Sequence, residues 1–311
     1  MSHLPLPVVR DHGTGSRVKQ ILVALLLVCA PVNPCGATDG MITDGTITIV
    51  YEEPLRGRAQ HVRAIYPVIK GELEETIGWS IDFVPVVALF KNGSSFRNMA
   101  GSDLVAAFAV PEKLLIVMDH SRVTRDPFKF DVIFKHELCH LLLHRYIDGR
   151  RLPRWLDEGV AQWVSDGMAD IVMHERHSVL NRVVLSRGFI WLRDLERGFP
   201  REQEPMTLAY EESKSVVEYI NGTYGVEGTL EILRHLKEGH TIEDAIEGGL
   251  SLTFDELETA WHGYLKQKIT WFTYMSYHFY EILFALAAML TVYGFVRLIR
   301  KKRAYRDDDG L

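Results

Sequence analysis

The sequence predicts an α+β fold, a small mixed β-sheet lobe with a helix on it followed by an all-helical lobe and a C-terminal transmembrane helix. Three observations carry that prediction. Short runs with β-branched alternation fall before residue 120. From about 126 to 268, apolar residues recur at helical spacing between glycine and proline breaks. Residues 282–296 are fifteen uncharged, largely apolar positions bounded by Glu281 and Arg297.

Taken in order, residues 1–20 are polar and end with Arg17 and Lys19, and 21–28 form an apolar core of signal-peptide length. Small residues at Cys35 and Ala37 have signal-peptidase spacing, so 1–37 is read as a signal peptide cleaved after Ala37 or as an uncleaved N-terminal anchor. Either way the body is expected to be exported. Val28 and Pro34, which precede Cys29 and Cys35, are not the small residues a lipoprotein site uses.

Residues 38–125 are read as a mixed α/β lobe. The alternation at 46–51 predicts a strand, and 55–77 an amphipathic helix stopped by Gly78. A second strand is expected over 83–89, with Pro85 marking an edge or a strand start. A short helix over 94–99 follows, and then two strands, 104–110 and 113–119, joined by a tight turn at Pro111.

Residues 126–268 are read as the helical lobe. Asp126-Pro127 is an N-cap and first helical position, and that helix should run to about 147, short of Gly149. Another begins at Pro153. Further helices are expected at 206–220, closed by Asn221-Gly222, and at 226–237, 241–247 and 253–267.

Within the first of these helices lies His136-Glu137-Leu138-Cys139-His140. At 100° per residue, imidazoles four positions apart are offset by only about 40° and project together, as a zinc ion requires. Glu137 lies beside that face, where a carboxylate can take a proton from water. Phe130, Phe134, Leu138 and Leu141 form an apolar stripe on the other side. Cys139 reads as a small buried residue. A catalytic zinc needs a third protein ligand, and Glu158 in Trp155-Leu156-Asp157-Glu158-Gly159-Val160-Ala161 is the candidate. Gly159 and Ala161 are small enough to let this helix approach the histidine helix. His144, one turn beyond His140, reads as a residue supporting the ligands or facing solvent, and Asp157 or Gln162 as a hydrogen-bond partner of the histidines. His174 and His177 have the wrong spacing for a second motif and read as surface residues.

HExxH, seventeen residues, then Glu in a WLxEGxA setting resembles the gluzincin metallopeptidases, and more narrowly the bacterial peptidase-MA-like domains, over about 41–267. The resemblance implies a thermolysin/gluzincin-like fold, one catalytic Zn2+ on His136, His140 and Glu158, Glu137 as general base, and a peptide or protein substrate. Tyr210-Glu211-Glu212-Ser213 resembles a Tyr-x-x-Ser phrase of the same domains, which nominates Tyr210 as the oxyanion donor. Gluzincins also pair substrate with an edge strand beside the active-site helix, and 114–117 is the candidate by position. The Gly-x-Met-Glu-Asn phrase of the aminopeptidase branch is missing, which points to an endopeptidase.

Composition narrows the alternatives. Three hundred and eleven residues, 47% hydrophobic and 24% charged, suffice for one large or two small lobes with a real core, so disorder is not the default. Three cysteines with no C-x-x-C exclude a disulfide framework and a zinc ribbon. Residues 1–37 carry +2 and 297–311 carry +3, so the total of −6 leaves −11 on the body, which argues against nucleic-acid binding. The span 269–299 is flanked by Trp271, Phe272, Tyr274, Tyr277, Phe279 and Tyr280, an interfacial belt, and followed by Arg300-Lys301-Lys302-Arg303. The positive-inside rule places the tail 300–311 in the cytoplasm and the catalytic body on the periplasmic or extracellular side of the cytoplasmic membrane. Two rivals remain open, a membrane-tethered zinc-binding scaffold without turnover and a zinc amidohydrolase acting on a non-peptide envelope substrate.

Overall fold

The computed structural model describes residues 39–91, 96, 105–123, 130–166, 178–186, 188–268, 275–276 and 278–308. The expected signal peptide, the Asp126-Pro127 helix start, His174, His177 and the flank Trp271, Phe272, Tyr274 and Tyr277 lie outside the described residues, as does the short helix at 94–99 apart from Phe96. The chain divides into two compact units, Met1–Leu142 and Leu143–Leu311, and the division falls inside a continuous helix, Phe130–Tyr146.

The first unit holds strands β1 (Asp39–Thr43), β2 (Thr48–Glu52), β3 (Val86–Phe90), β4 (Ala107–Val110) and β5 (Leu115–Asp119) in the order β1-β2-β3-β5-β4. β2, β3 and β5 are parallel, and β1 and β4 run antiparallel on the two margins. The sheet is therefore mixed, as the sequence predicts. The expected edge strand is corrected: Leu115, Ile116 and Val117 pair with β3 on one side and β4 on the other, so the margin strand is β4. The reason is that Pro111–Lys113 is a 3-10 turn that folds β4 back outside β5. β1 was not legible, since Asp-Gly-Met-Ile-Thr has weak strand propensity and is held by register with β2.

Helix α1 (Arg56–Ile77) buries Ala59, Val62, Tyr66, Ile69, Leu73 and Ile77, an i, i+3, i+4 stripe. It stops where Gly78 adopts φ 76° and its N–H bonds Glu74 O at 2.9 Å. A short helix α2 (His120–Val123) follows β5, capped by Asp119, whose Oδ1 accepts from Ser121 N and Oγ. Helix α3 (Phe130–Tyr146) places all four stripe residues Phe130, Phe134, Leu138 and Leu141 in the interior, and Cys139 is buried as expected. Tyr66 of α1 meets Phe134 with ring centroids 6.4 Å apart, and Lys135 Nζ donates to Glu72 at 2.8 Å. Burying a side chain the size of Phe134 contributes roughly 1.5–3 kcal/mol, so α1 fixes the roll of α3 about its own axis.

The second unit is helical: α4 (Arg154–Ser165), α5 (Val179–Ser186), α6 (Gln203–Tyr224), α7 (Val226–Lys237), α8 (Ile242–Leu250), α9 (Phe254–Lys268) and α10 (Phe279–Asp308). Pro153 is the N-cap of α4 rather than its first helical residue, with ψ at 142°. The first amides of α4 are satisfied from outside the helix, Arg154 N by Glu196 O at 2.8 Å and Trp155 N by Leu195 O at 3.2 Å. Gly159 permits a close approach to α6, since a Cβ there would collide with Ser213 O. Helix α6 runs through Asn221-Gly222 and closes at Gly225 (φ 77°), because Asn221 Oδ1 is engaged by Thr229 Oγ1 at 2.7 Å instead of capping. Helix α5 was not expected. Its first amides, Val179 N and Leu180 N, donate to the Glu211 carboxylate from α6, a cap remote in sequence.

In α10, the 22-residue stretch Phe279–Arg300 contains an 18-residue window of mean hydropathy 2.1, none of it buried, and is long and apolar enough to cross a membrane. At 1.5 Å per residue it measures about 33 Å against a hydrocarbon core of about 30 Å.

Gly159→Ala should lower the unfolding midpoint by the equivalent of roughly 1–3 kcal/mol, since neither Ser213 O nor the helix carrying it can yield. Gly71→Ala on the exposed side of α1, where nothing lies within 4 Å of the new Cβ, should be neutral or stabilising by up to about 1 kcal/mol. Thermal denaturation of both variants followed by circular dichroism checks the contrast.

Candidate metal centre

Helix α3 turns His136 and His140 to the same side, with Nε2 atoms 3.1 Å apart and ring planes at 83°. Two ligands on one tetrahedral zinc, each at about 2.05 Å, sit about 3.3 Å apart. One donor atom from each of His136, His140 and Glu158 falls within 4.8 Å of the others. All three are buried, at 2%, 6% and 2% exposure, as is Glu137 at 3%. Two imidazoles and a carboxylate at this spacing fit a divalent zinc-class ion by number, type and separation of donors. The sequence thus nominates the residues that the fold brings together.

Glu158 is held by a neighbour that the sequence reading passed over. Arg154 Nη2 lies 2.5 Å from Glu158 Oε1, one turn back on α4, and Nη1 lies 3.7 Å from Asp157 Oδ2. The same guanidinium shares a side-chain hydrogen bond with Tyr210. The Glu158 carboxylate drives the Arg154 guanidinium above its ordinary range against the opposing effect of burial, with Asp157 and Tyr210 adding to the rise. The i, i+4 spacing of Arg154 and Glu158 was the available signal.

His144 Nε2 lies 3.0 Å from Asp157 Oδ2, so His144 braces the residue next to Glu158. Gln162 Nε2 donates to the Tyr210 carbonyl at 3.0 Å, so it fixes the α6 backbone at the tyrosine. Tyr210 is partly exposed and meets Phe199 edge to face at 5.0 Å. Arg154 thus joins the ligand carboxylate and the tyrosine through one planar cation.

Two residues beyond Tyr210, Glu212 is fully buried and its Oε1 accepts from Ile190 N at 3.2 Å. Glu258 of α9 accepts from Leu192 N at 2.8 Å, so two interior carboxyls fasten the segment 190–192. Burial pushes the Glu212 carboxyl up to about 8, with Glu258 and Glu211 adding repulsion against the Ile190 hydrogen bond. His262, stacked on Phe189 at 4.1 Å, is pushed down to about 4 by burial and by Lys266.

A carboxyl raised in the folded state contributes full stability below its ordinary value of 4.5, and that stability is lost as pH climbs toward 8. The slope for one such group is about 1.4 kcal/mol per pH unit. Glu212→Gln keeps an acceptor for Ile190 N and removes the titration. It should flatten the fall in melting temperature across that window and exceed the wild type in stability above it, as thermal unfolding at a series of pH values will report.

Residues 127–267 match the family described as the Peptidase MA superfamily. No curated protein matches the chain. Among solved structures it is similar to native yeast LTA4 hydrolase (TM-score 0.45, 9% identity, 72% of this chain and 38% of that one). It is also similar to an M1 zinc metallopeptidase mutant from Deinococcus radiodurans (TM-score 0.37, 13% identity, 74% and 52%). A third is Legionella pneumophila aminopeptidase A in complex with aspartic acid (TM-score 0.41, 11% identity, 73% and 28%). The chain thus spans between 28% and 52% of the length of these three. HExxH and the glutamate of WLxEGxA both lie inside the matched segment, and residues 127–267 form a peptidase-MA-like domain.

Proposed function

We propose that this protein is a membrane-anchored zinc metallopeptidase that hydrolyses peptide bonds as an endopeptidase outside the cytoplasm. The observation that carries the reading is the buried convergence of His136, His140 and Glu158 with Glu137 between the two histidines. A zinc ion held by those three would supply a Lewis acid that brings the deprotonation of water near neutral pH. Glu137 takes the proton from the attacking water and delivers it to the leaving amine. Tyr210 donates its hydroxyl to the oxygen that gains charge, and Arg154 sets the orientation of both Tyr210 and Glu158. A purely structural site has no need of a base at 137, which disfavours the scaffold reading.

Strand β4, the antiparallel margin of the sheet, takes the role first expected of 114–117 and offers main-chain pairing to a peptide of any sequence. The missing Gly-x-Met-Glu-Asn phrase supports internal cleavage over removal of N-terminal residues. The apolar stretch of α10 anchors the chain, and Arg300-Lys301-Lys302-Arg303 at its end favour a cytoplasmic C-terminus.

Glu137→Gln should lose cleavage by about 10²–10⁴-fold while still binding zinc. Tyr210→Phe should lose about 10²–10³-fold in kcat with KM little changed. Peptide-library digestion read by mass spectrometry, with metal analysis of the same samples, tests both. A Glu137→Gln protein with wild-type turnover would falsify the mechanism. Cleavage products drawn only from non-peptide envelope amides would turn the assignment to the amidohydrolase.

A further inference from the structure

A second group of metal-type donors stands at the far end of α7, independent of the HExxH site. His235, Glu238 and His240 each present one donor atom within 4.8 Å of the others. His235 Nδ1 lies 4.0 Å, and His240 Nε2 3.9 Å, from the same Glu238 oxygen, Oε2. The imidazole rings are 5.3 Å apart at 76°.

The backbone builds this arrangement. Gly239 N donates to Leu236 O at 3.1 Å and His240 N to His235 O at 3.1 Å, the paired bonds of a Schellman cap. Gly239 takes φ 96°, which a side chain would strain, so the chain doubles back and returns His240 beside His235. The His235 ring is seated against Gly248 of α8, where a Cβ would lie 2.7 Å from Nε2. That packing leaves Nδ1 as the nitrogen facing Glu238. Glu238 is 57% exposed and His240 50%, so both can close the remaining ångström without disturbing the core.

The charge around the group is mostly accounted for. The Arg234 guanidinium is paired with Glu227 and Glu231, and Lys237 lies over the Tyr146 ring at 4.4 Å. Arg151 lies beside Gly239 and opposes a cation there. In favour of one are the Glu238 carboxylate and the negative end of the α7 dipole.

We propose that His235, Glu238 and His240 form a second metal site, which takes a divalent first-row ion of the zinc class with solvent completing its coordination. Two imidazoles and a carboxylate select such ions over magnesium or calcium. His240 directly precedes Thr241, the N-cap of α8, whose Oγ1 accepts from Asp244 N at 3.2 Å. A bound ion would therefore clip the end of α7 to the start of α8, a structural role separate from hydrolysis.

The test uses the full chain, without affinity tags, purified in detergent, stripped of metal and dialysed against zinc chloride. The expected stoichiometry is two ions for the wild type and one for a His235→Ala/His240→Ala variant that keeps its peptide cleavage. His136→Ala/His140→Ala should also bind one, and zinc should still raise its melting temperature. Glu238→Gln, an exposed change that leaves both rings in place, should weaken that remaining site. Equal zinc content in the wild type and the His235→Ala/His240→Ala variant overturns the proposal. If instead the change at 136 and 140 leaves the stoichiometry unaltered while that at 235 and 240 lowers it, the peptidase reading fails and this site stands.

Discussion

A carboxylate at 2% exposure needs positive charge close by, and the arrangement around Glu158 follows from that requirement. An ion removed from water costs several kcal/mol unless partners replace its hydration. Arg154 supplies one partner at 2.5 Å, and the two imidazoles of α3 define the place where a cation would supply the other. Arg154 is in turn held by Asp157 and Tyr210, and Asp157 by His144, so a chain of polar contacts on α3, α4 and α6 radiates from one buried oxygen pair. Removing Arg154 would leave the buried carboxylates of Asp157 and Glu158 without that cation, a costlier change than the loss of one exposed ion pair.

Close packing holds the helix that carries Glu158 in place. Helix α4 is buried on nearly every side, and its bare Gly159 lets α6 come within contact of the backbone. The same approach places Gln162 against the Tyr210 carbonyl, so backbone proximity and side-chain placement have a common origin. On the opposite side of α6, Glu211 caps α5 while Glu212 holds the 190–192 segment. One helix therefore presents a tyrosine toward Arg154 and acidic anchors toward the surrounding elements.

What was legible in the sequence follows from the range of the interactions involved. Local signals are legible: the stripe and Gly78 stop of α1, the imidazoles four apart on α3, and the span of α7 are each fixed within a few residues. Glu158, which falls in one cluster with the two imidazoles, was legible because it stands in a compact phrase. The misses depend on distant partners. The start of α5 is capped by a residue some thirty positions later, Asn221 is taken by Thr229 so that α6 continues, and β1 exists only through its register with β2. Strand order failed for the same reason, since the turn at Pro111–Lys113 announces a hairpin but not which of its arms stays outside.

The C-terminal helix adds a constraint that the domain alone does not contain. Phe284 at 78% and Leu290 at 69% exposure lie on a stretch with no apolar partner among the described residues, and so continuous a surface is unfavourable in water. A bilayer would satisfy it along the whole length of the stretch. Helix α9 ends at Lys268 and α10 begins at Phe279, so ten residues, 269–278, join them. Fully extended, ten residues reach about 35 Å. A bilayer holding α10 would therefore keep Lys268 within roughly that distance of the membrane surface.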